Sequence, residues 1–216
     1  MIVLASQSRR RKVILRKMGW PFRVAASAYH ERRIPGIPPA ELVVRHAVGK
    51  VKKSVLSPKT RWILGADTVV VYRGRVLGKP RSRGDAFRML SALAGKEHRV
   101  YTGVALWDRK TGRWRTGVSE TRVRIRAMAA SAIRDYFSRV DPMDKAGAYG
   151  IQEGPRIVEQ VDGSYTNVVG LPVELLRRMA AETGMLKGAG PRRVKKTSAR
   201  SRACRYLPSK ARASRG

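Results

Sequence analysis

The stretch Trp62-Ile-Leu-Gly-Ala-Asp-Thr-Val-Val-Val71 constrains this chain more than any other. Its aliphatic, β-branched run is broken by Gly65 and followed by the turn signal Arg73-Gly74, a pattern that predicts a buried strand and not a helix. One carboxylate, Asp67, interrupts it. An ionised side chain inside such a strand loses its hydration unless a metal, a cation or hydrogen-bond donors replace the water. Asp67 is therefore a candidate for chemistry, and from this strand alone a structural aspartate tied to an arginine or to backbone amides stays open.

The remaining segments narrow that choice. A chain of 216 residues has room for one globular domain with a full core. No apolar run approaches the length needed to cross a bilayer, and Met1 to Ala5 is too short, and lacks the basic lead-in, for a secretion signal. The expected compartment is the cytoplasm. The single cysteine, Cys204, excludes an intrachain disulfide and a cysteine-based metal cluster.

The formal charge of +32 invites a nucleic-acid reading, because dense positive charge attracts polyphosphate by releasing counterions. Its distribution matters. Residues 187–216 hold 11 Lys or Arg, no Asp or Glu and few large apolar groups, which predicts a disordered basic tail beyond a folded unit of residues 1–186. The other arginines are scattered over predicted helices and strands. A positive field of that kind also suits a small polyanion such as a nucleoside triphosphate.

In chain order, Met1 to Ala5 predicts a short strand, and Ser6-Gln-Ser-Arg-Arg-Arg11 a loop entering a helix with Val13, Ile14 and Met18 on its apolar face, stopped by Gly19. Hydroxyls and guanidiniums at a strand-to-helix turn suit phosphate, and equally suit a serine cap with surface arginines. Phe22 to Ala25 predicts a second strand. A helix is expected from Ala40 over Leu42, Val43, Ala47, Val51 and Val55, with His46 given no role and Lys50 at the helix rim. Arg75 to Gly78 reads as a hairpin return that leaves Lys79 at the strand end before Pro80. A helix carrying Ala86, Met89, Leu90 and Leu93 follows, then strands over Val100 to Trp107 and Val118 to Ile125. The alternation in Thr121 to Arg126 implies one buried face and one basic, wet face. Ile133, Tyr136, Phe137 and Val140 mark another helix, Arg156 to Val161 a strand, and Val173, Leu176 and Met179 the last helix. Between them, Asp141 to Gln152 is polar and Gly-rich, with Asp144, Lys145 and Gln152 equipped to bind a charged ligand. Strands and helices mix without strict alternation, which predicts an α/β (mixed α+β) fold around a long mixed sheet.

Five ordered segments resemble the Maf family of nucleoside triphosphate pyrophosphatases. They are Leu4 to Arg11, Ser27 to Glu31, Gly65-Ala-Asp-Thr-Val69 with Gly78-Lys-Pro80, Tyr101-Thr-Gly103, and Asp144 to Gln152 with Asn167 to Pro172. The resemblance runs from residue 2 to about residue 182. It implies an elongated mixed sheet flanked by helices, with two lobes and a central cleft, as in the Maf and inosine-triphosphatase folds. It also implies a metal-dependent hydrolase that cleaves between the α and β phosphates, in a nucleotide-pool sanitising role, and it suggests a homodimer.

Residue by residue, Asp67 matches the family's proton acceptor, and Glu31 with Asp67 the carboxylates for Mg²⁺ or Mn²⁺. Ser6, Ser8, Arg11, Lys50, Lys79 and Lys145 match the phosphate-binding positions. Arg10, Thr68 and Gln152 match the specificity positions of the subgroup acting on dTTP and UTP, not those of the subgroup acting on 7-methyl-GTP. Arg9, His30 and Glu153 stand where the family pattern has proline, an acidic residue and glycine. The chemistry is coherent: magnesium prefers carboxylate and phosphate oxygen, a carboxylate can accept a proton from water, and a glutamine amide matches the carbonyl and imide N–H of a pyrimidine. Two competing readings remain: a nucleic-acid-binding module anchored through the tail, with nonspecific contact, and a division-regulating interaction protein that has lost catalysis.

Overall fold

The computed structural model describes residues 1–32, 34–55 and 60–185, so the basic segment 187–216 lies outside the described residues. The strands are β1 (Ile2–Leu4), β2 (Phe22–Val24), β3 (Trp62–Tyr72), β4 (Arg75–Leu77), β5 (Glu97–Asp108), β6 (Arg113–Ile125) and β7 (Val158–Asp162). The helices are α1 (Arg9–Lys17), α2 (Pro39–Lys52), α3 (Arg83–Leu93), α4 (Ala130–Arg139), α5 (Tyr165–Val169) and α6 (Val173–Glu182). All seven strands form one mixed sheet in the order β2-β1-β3-β5-β6-β7, with β4 added to β3. The β1–β2 and β1–β3 pairs are parallel; the others are antiparallel.

Strand β3 is the spine. Along one edge it pairs with β5 continuously from Trp62 to Val71. Along the other, β1 stops at the Leu4–Leu64 pair and β4 begins at Val70–Leu77. Residues 65–69 therefore have no strand neighbour on that side. This interruption opens the cleft described below.

The two faces of the sheet are covered differently. Helix α2 lies on one face, packing Ala47 and Val51 against Ile63 and Ala105, and Val43 against Val69 and Val71. It can lie close because Gly65 and Gly103 beneath it lack side chains. A Cβ at Gly103 would come within 2.5 Å of the Val43 carbonyl oxygen, and one at Gly65 within 2.7 Å of Val51 Cγ2. On the opposite face, α1 and α6 bury Leu15 and Leu176 over Leu4, Leu64 and Leu106. Further along the same face, α3 and α4 bury Leu90, Ile133 and Tyr136 over Val70, Val100 and Val123. These two cores are the lobes, and polar Thr68 and Thr102 lie on the strands between them.

Several expectations shift in detail. Strands β5 and β6 extend to Asp108 and back from Arg113, because the register continues through the stacked Trp107–Trp114 pair, whose centroids are 5.2 Å apart. Leu15, not Val13, is buried on α1; Val13 points to solvent. Helix α2 ends at Lys52 and leaves Val55 exposed. Strand β7 runs Val158–Asp162, later than predicted. Helix α5 was not anticipated: Ser164 caps it by accepting from the Asn167 N–H, and Gly170 ends it at φ 115°. The alternation over Thr121 to Arg126 holds, with Thr121, Val123 and Ile125 buried and the arginines exposed. No helix among the described residues is long and apolar enough to cross a membrane.

Candidate active site

A cleft of about 940 Å³ opens at the interrupted edge of β3. Because side chains alternate along a strand, Asp67 and Thr68 point to opposite faces of the sheet. Both reach the cleft because no neighbouring strand closes the edge between them.

On the α2 face, Asp67 is buried and Lys50 comes to it from the last turn of α2. The Lys50 ammonium donates to Asp67 Oδ1 at 2.6 Å and to the Ala66 carbonyl at 3.3 Å, and pairs with Glu31 Oε1 at 2.7 Å. All three N–H groups are thereby engaged. The Ala66 carbonyl belongs to the unpaired edge, so the lysine also satisfies backbone that a neighbouring strand would otherwise have satisfied. Burial pushes the Glu31 carboxyl up, but the Lys50 charge and hydrogen bond, with Lys79 and Arg11, outweigh it and hold the group below its ordinary value. The segment carrying Glu31 is braced by Tyr29, whose hydroxyl meets His46 Nδ1 at 2.9 Å and whose ring lies over Gly49.

On the other face, Ser8 caps α1 and Arg11, in its first turn, folds inward. The buried guanidinium donates to the Gly170 carbonyl at 2.8 Å, Ser6 Oγ at 3.0 Å and Thr68 Oγ1 at 3.1 Å. Burial lowers its pKa, while Asp67 and Glu31 pull it back up. Thr68 continues into a buried relay: its hydroxyl meets Thr102 Oγ1 at 2.9 Å, and Thr102 donates to the Asn167 carbonyl at 3.0 Å. Asn167 Nδ2 then ties α5 to the Val100 carbonyl and to Thr121 Oγ1. The first turn of α1 holds Arg9, Arg10 and Arg11 and no acidic residue, so three cations sit at the positive end of a helix. That placement is unfavourable by some tenths of a kcal/mol per cation, and an incoming anion would offset it.

The third wall is the Gly-rich segment before β7. Lys145 Nζ donates to Asp144 Oδ1 at 2.6 Å and to the Asp141 carbonyl at 2.7 Å, and pairs with Glu153 Oε2 at 2.9 Å. Arg10 crosses from α1 to Asp144 Oδ2 at 3.0 Å. Burial raises the Asp144 carboxyl, yet Lys145 and Arg10 together hold it below its usual value.

The structure thus brings Ser6, Ser8, Arg10, Arg11, Glu31, Lys50, Asp67, Thr68, Lys79, Lys145 and Gln152 to one cleft. Lys79 and Gln152 are exposed at its rim. Lys50 differs from the expected rim lysine in setting, since its ammonium is held by two carboxylates and a backbone carbonyl, and Lys145 is held in the same way. Sequence reasoning gave no role to Tyr29, His46, Thr102, Asn167 or Arg81. Tyr29, Thr102 and Asn167 do lie in segments whose residues carried the resemblance, which was the available signal.

Two carboxylates meeting at one point fit a divalent cation of the magnesium type, which takes one or two protein carboxylates and completes its shell with water and phosphate oxygen. Among the described residues no group of three or more His, Cys, Asp or Glu forms an all-protein metal cage.

Fold and cleft together define a mixed α/β protein with a cationic, two-carboxylate site at a broken sheet edge. The chain belongs to the Maf-like protein family, whose pattern it matches over residues 1–183. It is 47% identical over 182 residues to a dTTP/UTP pyrophosphatase of Gloeobacter violaceus, covering 84% of this chain and 95% of that protein. Proteins with the same name from Geobacter sulfurreducens and Clostridium botulinum are 45% and 40% identical, covering 83% and 85% of this chain and 97% of each relative.

Proposed function

We propose that this chain is a nucleoside triphosphate pyrophosphatase that hydrolyses dTTP and UTP to the monophosphate and pyrophosphate. The observation that carries this reading is the convergence of Asp67 and Glu31 on the Lys50 ammonium in a cleft that Arg11, Lys79 and Arg81 also line. Its specificity for pyrimidines is supported by relatives of that name at 40–47% identity.

A triphosphate's α-phosphorus is shielded by anionic oxygens until cations draw that charge away. Arg11 and Lys79, with Ser6 and Ser8 at the α1 N-terminus, receive the phosphates. Asp67 accepts the proton of the attacking water, whose oxygen bonds to the α-phosphorus as the α–β bridge breaks and pyrophosphate leaves. Glu31 and Asp67 would hold Mg²⁺ or Mn²⁺, which when bound neutralises phosphate charge. Lys50 keeps the two carboxylates together. At the base end, Gln152 presents a donor and an acceptor to the pyrimidine edge, with Thr68 and Arg10 shaping the pocket. The catalytic unit in this reading is residues 1–186, the tail 187–216 adds nonspecific polyanion contact, the assembly is a homodimer and the compartment is the cytoplasm. The competing nucleic-acid and division-regulating readings gain no support from the named relatives.

The test is a panel of UTP, dTTP, CTP and GTP with Mg²⁺ or Mn²⁺, scoring pyrophosphate against orthophosphate. Asp67→Asn is expected to abolish turnover, and Gln152→Ala to blur selectivity among bases. Release of orthophosphate in place of pyrophosphate, or an active Asp67→Asn, would defeat the proposal.

A further inference from the structure

The third wall of the cleft is electrically closed. Lys145 is only 4% exposed along its side chain and its three ammonium hydrogens are matched by Asp144, the Asp141 carbonyl and Glu153. Arg10 is shared between Asp144 at 3.0 Å and Glu153 at 3.6 Å, with a further bond from Nη2 to the Asp144 carbonyl at 3.1 Å. Two cations and two carboxylates leave this wall formally neutral. A Cβ on Gly150 would lie 2.9 Å from Lys145 Cε, so the glycine leaves room for the lysine in this folded-back position. By contrast Arg11, Lys79 and Arg81 line the cleft and form no salt bridge among the described residues. Glu153 does not itself line the cleft, although its sequence neighbour Gln152 does.

We propose that Glu153 is a positioning residue that sets specificity: by fixing and neutralising Arg10 and Lys145, it reserves this end of the cleft for the uncharged base and leaves the polyphosphate to Arg11, Lys79 and Arg81. This rests on the pyrophosphatase reading. A polyanion gains little from a neutral wall, whereas a base gains from a rigid one whose donors and acceptors are held in fixed directions. Lys145 then acts as the hub of that wall and not as a phosphate ligand. With Glu153 uncharged, Arg10 and Lys145 carry a surplus positive charge beside the cleft, and phosphate is drawn to the wrong end.

The experiment uses tripolyphosphate, a ligand with no base, titrated calorimetrically into the full chain. The variants are Glu153→Gln, Glu153→Asp and, as a control for net charge, Glu120→Gln on the sheet's wet face, where Glu120 pairs with Arg99. Glu153→Ser removes the charge without bulk and stands in where glutamine perturbs folding. The basic tail is common to all of these proteins. Glu153→Gln is expected to bind tripolyphosphate ~10-fold more tightly at low salt, while Glu153→Asp and Glu120→Gln stay near wild type. In turnover, the preference for UTP over GTP is expected to fall, the change lying in KM and not in kcat. Equal tripolyphosphate affinity in Glu153→Gln and Glu120→Gln overturns the inference. A wild-type chain that releases no pyrophosphate, with the tripolyphosphate pattern intact, defeats the pyrophosphatase reading and leaves the neutral wall standing.

Discussion

Replacing Gly103 by alanine probes a close backbone approach between α2 and the sheet. Gly103 is the cross-strand partner of Asp67, and Val43 of α2 lies directly above it. The added Cβ would stand 2.5 Å from the Val43 carbonyl oxygen and the Val44 nitrogen, both backbone atoms that no rotamer change can move. Ordinary contact needs roughly 3.3 Å or more, so the helix must retreat by somewhat under ~1 Å. The retreat loosens a face that buries Leu42, Val43, Ala47 and Val51, an overpacking cost of about 1–3 kcal/mol. In a domain of this size that is a fall of roughly 2–12 °C in melting temperature. Lys50 stands two turns beyond Val43 on the same side of α2, so the same movement pulls its ammonium from Asp67 and Glu31. Misplacement on that scale costs about 10²-fold in kcat. Gly84 provides the contrast: it lies in α3, a Cβ there meets nothing nearer than 3.8 Å, and Gly84→Ala should raise stability by about 0.5–1 kcal/mol. Thermal unfolding and turnover measured on both variants decide the matter. A Gly103→Ala protein that melts and turns over like wild type would show that the glycine seat does not position Lys50.

Removing the ammonium at the centre of the site should be costlier still. Lys50→Met leaves Asp67 buried without its partner, a loss of about 3–5 kcal/mol by chemical denaturation; added Mn²⁺ should restore more stability to this variant than to wild type, and no difference in the metal response would count against a cation site at Glu31 and Asp67. His98 supplies the pH dependence. Its ring is buried, Nε2 meets the Tyr149 hydroxyl at 2.7 Å, Nδ1 has no partner, and burial lowers its pKa from 6.5 to about 4. Above pH 6.5 both folded and unfolded forms are neutral and the residue contributes nothing to the slope. As pH falls from 6.5 towards 4 the unfolded chain takes up a proton that the fold refuses, so stability drops by up to ~3 kcal/mol. Denaturation curves at pH 7 and pH 4.5 should show a shallower pH slope for His98→Gln; identical slopes would exclude this origin.

Much of the fold is written in local pattern. The β3 run, the Ser82 and Pro38-Pro39 helix starts and the glycine stops are all short-range signals. What escaped detection depended on partners distant in sequence. The start of β6, Arg113-Trp-Arg-Thr-Gly117, carries arginines and a threonine with no apolar alternation, and only the facing register of Trp107 with Trp114 shows that the ladder continues. Helix α5 has five residues, too few for a periodicity. In the site, Asp67 announced itself as a charge inside an apolar strand. Lys50 did not, because a lysine near a helix end is ordinarily solvated. Its burial follows from Glu31 and Asp67, 19 residues before it and 17 after it, closing over it.

The position of the site follows from the pleat. Adjacent residues on a strand face opposite sides, so a carboxylate at 67 and a hydroxyl at 68 cannot serve one ligand across an intact sheet. They can do so only where the strand has lost its neighbour, and β1 and β4 leave that gap over residues 65–69. The gap exposes backbone groups that would ordinarily be costly, and Lys50 answers for one of them at Ala66. The lysine that covers the broken edge is thus also the one that gathers the two carboxylates. Stability and chemistry draw on the same ammonium, and for that reason the Lys50 and Gly103 substitutions should damage both together and in proportion.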